Sequence, residues 1–273
     1  NSPHSPIVPS AAFEGKSGLS PHGDFCMETD WAVGEVLKTL DELGVADNTL
    51  LIFTADNGTS PMAKLDRMQA QGHYSSWIYR GLKGTTWEGG QRVPFLVRWP
   101  NGVKADRVSD AIICTTDLMA TVAEIFGVQL ADHIGEDSVS FLPAMKGEAI
   151  PGMAERGVVH HSDSGIFAIR RGKWKLLFDN KGGSRRQNPK DKPVINSADL
   201  LLFDMEKDAV ESTNLSAEYP EVVESLKKLL AQYVNNGRST PGAPQKNDPM
   251  QGKKKWTQID VVKEYLTGTE AGF

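Results

Sequence analysis

DNTLLIFTADNG, residues 47–58, is a turn, then an apolar run, then a polar loop closed by glycine. Its centre, TLLIFT (49–54), is a short continuous apolar segment of the kind expected for a strand buried on both faces of a parallel sheet. Upstream, Phe25, Val33, Val36, Leu37, Leu40 and Leu43 recur at helical spacing, which predicts a helix from Asp24 to Leu43. Asp24 is placed to cap its start and Gly44 to end it. Helix, turn, buried strand and polar loop form an α/β signature.

Working outward, residues 1–23 carry Pro3, Pro6, Pro9 and Pro21, which forbid a long regular element. The loop-rich stretch 56–92 holds DNG, GHYSSW and RGLKGTTWEGGQR. A second buried strand is predicted at VPFLVRW (93–99), and 111–127 reads as a strand-like start running into a helix stopped by Gly127. Beyond Gly152 the segments GVVHHSD, GIFAIRRGKWKLLFD and LLLFDME alternate with turn signals, as in an antiparallel meander. Tyr219–Val234 is an amphipathic helix. The organisation predicted is an α/β domain over 1–152, an antiparallel subdomain with a terminal helix over 153–236, and an extended tail over 237–273.

A net charge of −5 argues against a nucleic-acid binder, and no apolar run approaches the length that spans a bilayer. Two cysteines, Cys26 and Cys114, build no disulfide framework. The chain opens at Asn1 without the regions of a signal peptide, and that opening reads as the inside of a loop.

Four places could carry chemistry. Asp56 and Asn57 follow the predicted strand, where ligands collect in open α/β sheets. Their hard oxygens suit Ca²⁺, or less well Mg²⁺, although Asp-Asn-Gly is equally the composition of a turn. Lys83, among glycines 81, 84, 89 and 90, is a compact partner for an oxyanion or else a solvated loop lysine. His4, in the Pro-bracketed PHSP, can present an imidazole as general acid or anion ligand. Of His160 and His161, adjacent on a strand, at most one reaches a given site. No HExxH and no GxSxG is present. The basic run 170–192 (Arg170, Arg171, Lys173, Lys175, Arg185, Arg186) reads as a solvated face.

Taken together, PHSPIVP (3–9), GDFCMETDWAVGEVLKTLDELGVADNTLLIFTADNG (23–58) and YRGLKGTTWEGGQRVPFLVRWPNG (79–102) resemble the later part of a sulfatase of the arylsulfatase type, in the alkaline-phosphatase superfamily. HHSDSGIFAIRRGKWKLL, LLFDMEKDAVESTNL and GRSTPG continue the likeness in order. The resemblance implies part of an alkaline-phosphatase-like sandwich with a mostly parallel sheet, plus a smaller C-terminal antiparallel sheet packed with a helix. It implies Asp56 and Asn57 as Ca²⁺ ligands, Lys83 on the sulfate and its leaving oxygen, and His4 on the sulfate. It also leaves His161 as a wall of the substrate pocket. The substrate implied is an aryl or carbohydrate sulfate ester, and the compartment periplasmic or extracellular.

One departure stands out. The family's Cys/Ser-x-Pro/Ala-x-Arg motif, whose first residue becomes formylglycine, is absent: Cys26 reads CMETD and Cys114 reads CTTDL. No nucleophile is therefore assigned, the acidic pair that completes the calcium shell is also lacking, and the chain's expected partner is the missing N-terminal portion of the same domain. The polypeptide alone is expected to hydrolyse no sulfate ester at a family-like rate. Two other readings compete: a non-catalytic module that binds sulfated glycans through 170–192, and a phosphoryl-ester hydrolase of the same superfamily.

Overall fold

The computed structural model describes residues 3–184, 186–247 and 257–267. Arg185 of the basic run and the tail stretches 248–256 and 268–273 lie outside the described residues. The chain forms two compact units. The first comprises Asn1–Ala105 with Ser184–Pro193 and Ala209–Ser212, and the second comprises Asp106–Gly183, Val194–Asp208 and Thr213–Phe273. The sequence places the division near 152, but segment 106–152 groups with the second unit. There Arg156 grips Asp117 with two hydrogen bonds, of 2.8 and 2.6 Å.

In the first unit, helix α1 spans Pro21–Glu42. Its cap is Ser20, whose hydroxyl accepts the Gly23 N–H at 3.3 Å, and not Asp24. Asp24 sits buried in the first turn and accepts the N–H groups of Gly15 and Ser17. A carboxylate there is favoured by the helix N-terminus, and it ties the preceding loop to the helix. Strand β1 (Leu51–Thr54) pairs with β2 (Phe95–Arg98), Leu51 opposite Arg98 and Thr54 opposite Phe95. The pairing is antiparallel, not parallel, and all four residues of β1 are half-buried. A two-stranded ladder cannot cover both of its faces, and Leu96 is 60% exposed. Between the strands lie the short helices α2 (Leu65–Gln69) and α3 (Glu88–Gln91). Ala63, Leu65, Met68 and Leu82 form a small buried cluster there.

In the second unit, the apolar stretch from residue 111 forms no strand. Cys114 instead donates its N–H to the Asp117 carboxylate at 2.8 Å, opening a turn into helix α4 (Leu118–Ile125). Helix α5 (Leu142–Lys146) follows. Then comes the predicted meander: β3 (Val158–His161), β4 (Phe167–Arg171), β5 (Trp174–Leu177) and β6 (Leu201–Asp204), antiparallel in that order. Helix α6 (Pro220–Asn236) lays Leu226, Leu230 and Ala231 on Ile169, Leu176 and Leu202 of this sheet. Each buried leucine or isoleucine among them contributes about 1.5–3 kcal/mol relative to exposure. The basic run is only partly a solvated face, since Lys175 is fully buried and Lys173 binds Asp204 at 2.8 Å.

The tail returns as a 3₁₀ helix, Thr257–Tyr265, which buries Val262 in the same core. Tyr265 donates its hydroxyl to Glu224 at 2.5 Å. That bond to a carboxylate pushes the phenol up to about 12. An unfolded tyrosine titrates near about 10, so the folded state holds this proton more tightly. The resulting stability is whole below pH ~10 and is lost as pH rises through the folded value. Absorbance at 295 nm should therefore lose a late-titrating tyrosine in Tyr265→Phe, and that variant's stability should fall less steeply than the parent's between about pH 10 and 12.

Candidate functional site

Two loops of the first unit carry the sequence-predicted residues, and backbone hydrogen bonds join them. The loop after β1 presents Asp56, exposed, and Asn57, half-buried. Gly58 donates its N–H to the Gly90 carbonyl at 3.0 Å, and Lys83 donates its N–H to Thr59 at 2.9 Å. The fit is tight: a Cβ on Gly58 would stand 1.8 Å from the Gly89 carbonyl oxygen, so only glycine closes this approach. The Lys83 loop is braced in turn. Gly89 donates to Arg80 at 2.6 Å, Gln91 Nε2 to the Thr85 carbonyl at 2.7 Å, and Glu88 N–H to the fully buried Glu211 at 2.8 Å. Arg80 lies over the Trp87 ring at 5.0 Å.

Lys83 and His4, 79 residues apart, are brought together, Nζ to Nε2 at 3.5 Å. His4 Nδ1 lies 3.0 Å from the Ser5 carbonyl. A ring nitrogen facing a carbonyl is a donor, so in the neutral tautomer Nε2 is the acceptor that faces the Lys83 ammonium. The contact is at the long limit of a hydrogen bond, so an anion's oxygen placed between the two would draw donors from the lysine and, on protonation, from the imidazole.

Asn57 donates its Nδ2 to the Gly58 carbonyl at 3.0 Å, which fixes the amide so that Oδ1 is the atom able to ligate a cation. With the Asp56 carboxylate, its Oδ1 supplies hard donors of the right type for Ca²⁺ or Mg²⁺. They are two of the 6–8 oxygens that Ca²⁺ takes. Among the described residues no group of three or more His, Cys, Asp or Glu could hold a metal ion. The pair therefore fits as part of a shell and not as a cage.

His161 belongs to the second unit. It stands at the end of β3, exposed, with Nδ1 at 2.8 Å from the Ser162 carbonyl and its ring edge-on to Phe167 at 6.3 Å. Cys26 is exposed and Cys114 half-buried, both as free thiols. Residues that no local pattern announced also support the site. Loop 184–193 returns to the Lys83 segment, where Asp191 accepts the Gly81 N–H at 2.8 Å, Asn188 donates to the Gly81 carbonyl at 3.3 Å, and Arg186 reaches the Lys83 carbonyl at 3.4 Å. Burial pushes the Asp191 carboxyl up, and the Gly81 N–H opposes that shift.

Comparison with known proteins gives the family of the chain. The model of the sulfatase family matches residues 1–128, and that of the C-terminal region of aryl-sulfatase matches 154–264. The chain belongs to the sulfatase family. This sulfatase chain is 35% identical over 242 residues to N-acetylgalactosamine-6-O-sulfatase of Bacteroides thetaiotaomicron, covering 83% of the chain and 44% of that relative. It is 34% identical over 242 residues to human arylsulfatase A, covering 83% of the chain and 46% of the relative. A solved structure reported under the metabolism of multiple glycosaminoglycans by Bacteroides thetaiotaomicron superposes with a TM-score of 0.72 at 32% identity, over 85% of this chain and 48% of that one. The fold is the alkaline-phosphatase-like fold of such neighbours, with the antiparallel sheet and its helix as expected. The chain spans about half the length of the curated relatives it matches.

Proposed function

We propose that these residues serve a sulfuric ester hydrolase acting on aryl or carbohydrate sulfates, and that this chain carries the sulfate-holding part of the site without its nucleophile. The observation that carries the reading is the Lys83–His4 contact on a loop locked to the Asp56–Asn57 turn. Hydrolysis of a sulfate ester develops negative charge on the ester oxygen that departs. Lys83 is a fixed positive donor for that charge, and His4 Nε2 is a position from which a proton can be delivered to it. Asp56 and Asn57 would hold a divalent cation in company with ligands from outside this sequence. When bound, such an ion supplies positive charge to the sulfate oxygens. A periplasmic or extracellular setting is proposed from the family alone.

No Cys/Ser-x-Pro/Ala-x-Arg motif occurs in this sequence, so the proposal assigns the attacking group to a segment outside it. The same absence favours a second reading, a chain that only binds sulfated glycans. One set of measurements tests both. The chain alone should leave nitrophenyl sulfate and nitrophenyl phosphate intact, while galactose 6-sulfate should shift the amide resonances of the Lys83 loop. Lys83→Ala should abolish that shift. In a longer chain that includes the motif, Lys83→Ala should lower kcat for sulfate by about 10²–10³, the usual loss of one donor to a developing oxyanion. Turnover by the short chain, or binding indifferent to Lys83, would refute the proposal. A longer chain that binds sulfate esters but never cleaves them would leave the binding-only reading standing.

A further inference from the structure

In the loop that leads to Lys83, Trp77 is 66% exposed and Tyr74 48% exposed, so two large aromatic rings face solvent. The loop that carries them is fixed. Trp77 donates its N–H to the Tyr74 carbonyl at 2.8 Å, and Tyr79 donates to the Ser76 carbonyl at 2.9 Å. Trp77 has a φ of 48°, a left-handed conformation that a bulky residue keeps only where its surroundings compel it. Its ring meets Tyr79 edge-on at 5.7 Å, and the Arg92 guanidinium lies over Tyr79 at 4.9 Å. Two bridges tie this platform to the Lys83 segment. Ser76 donates its hydroxyl to the Thr59 hydroxyl at 3.4 Å, while the Thr59 carbonyl accepts the Lys83 N–H at 2.9 Å. Lys190 donates Nζ to the Trp77 carbonyl, while Asn188 and Asp191 of the same loop hold Gly81.

We propose that Trp77, flanked by Tyr74, is a binding platform for a sugar ring joined to the one whose sulfate ester lies at Lys83 and His4. The substrate is then a sulfated oligosaccharide and not a simple aryl sulfate. The inference rests on the proposed function of the Lys83–His4 pair. A pyranose ring has an apolar face of C–H groups and a rim of hydroxyls. An exposed indole on a rigid loop offers the matching apolar face and leaves the hydroxyl rim in water. Exposed apolar groups gathered beside a polar site mark a ligand surface in general. The charges around these rings favour a glycan over a protein segment. Lys190 lies 5.7 Å from the centre of the Tyr74 ring, and Arg92 stands over Tyr79. Two cations attract a polyanionic chain, and an apolar protein segment laid over them would desolvate both at a cost.

The test is an NMR titration of the chain with galactose 6-sulfate and with a 6-sulfated galactan tetrasaccharide. The tetrasaccharide should bind the parent more tightly and should shift the Trp77 indole N–H resonance. Trp77→Ala should weaken the tetrasaccharide by about fivefold or more, the size of a lost aromatic contact, and galactose 6-sulfate by less than about twofold. Trp77→Gly removes the ring together with the strain of the positive φ, so it should match the alanine variant if the ring is what binds. Trp77→Phe, which keeps an aromatic face, should retain most of the affinity. Equal weakening of both sugars, or of neither, with galactose 6-sulfate still dependent on Lys83, overturns the role of Trp77 alone. So does a longer chain, including the motif, whose Trp77 indole is silent to the tetrasaccharide, because protein then covers the ring. If galactose 6-sulfate does not bind, or binds independently of Lys83, the underlying reading fails and this inference with it.

Discussion

Arg156→Ala is expected to destabilise the second unit by about 3–5 kcal/mol, the cost of removing one partner from a buried ion pair. The Arg156 side chain is 7% exposed and that of Asp117 fully buried. The two share hydrogen bonds of 2.8 and 2.6 Å, a bidentate arrangement. Asp117 also accepts the N–H groups of Cys114 at 2.8 Å and Val139 at 3.0 Å. It therefore holds the entry to α4 and the segment leading to α5 from one carboxylate. Without the guanidinium, the charge stays buried against two amide donors that cannot neutralise it. Adding Asp117→Asn removes the charge while keeping an oxygen for one amide, so the double variant should recover part of the loss. Urea unfolding of the single and double variants checks this. A loss below about 1 kcal/mol for Arg156→Ala would place the pair with ordinary surface bridges.

What was legible in the sequence was local and periodic. The helix predicted over Tyr219–Val234 is observed over Pro220–Asn236, since its apolar stripe repeats at the helical period and Gly237 accepts the left-handed cap. The meander from β3 to β6 follows from short apolar segments broken by turn residues. What failed had no local signature. A four-residue apolar run carries no information on strand direction, so the antiparallel pairing of β1 with β2 was not in it. The apolar residues from 111 resemble a strand, but the backbone of Cys114 is taken by Asp117, a competitor invisible to hydropathy. Lys175 neighbours Leu176 on β5 and so faces the other side of the sheet from α6, where it is fully buried all the same, opposite Phe203. The candidate site divides the same way. Asp56, Asn57 and Lys83 were marked by their motifs, while Arg186, Asn188 and Asp191 reach Gly81–Lys83 across more than a hundred residues, through contacts that only folding creates.

Gly58→Ala is expected to strike stability and function together. The new methyl group would fall 1.8 Å from the Gly89 carbonyl oxygen and 3.0 Å from Gly90 Cα. Both are backbone, so no side chain can rotate aside. One of the two loops must withdraw, and with it goes the Gly58–Gly90 hydrogen bond. Overpacking of this kind costs about 1–3 kcal/mol and occasionally more. The functional effect should match the upper end of the structural one, because 10²-fold in rate is about 2.7 kcal/mol. Asp56 and Asn57 precede the clash directly, and Lys83 is tied to Thr59 just beyond it, so withdrawal changes the distance between the proposed cation ligands and the proposed sulfate lysine. A displacement of about 1 Å in such a constellation costs about 10²-fold in rate. In a longer chain with sulfatase activity, Gly58→Ala should therefore lower kcat by about 10²-fold while the protein remains folded below its unfolding transition. Gly44→Ala is the control for the general cost of a substituted loop glycine, because nothing lies within 4 Å of a Cβ there and only its positive φ is strained. Equal losses of activity in the two variants would mean that the interlock of the loops does not set the geometry of the site.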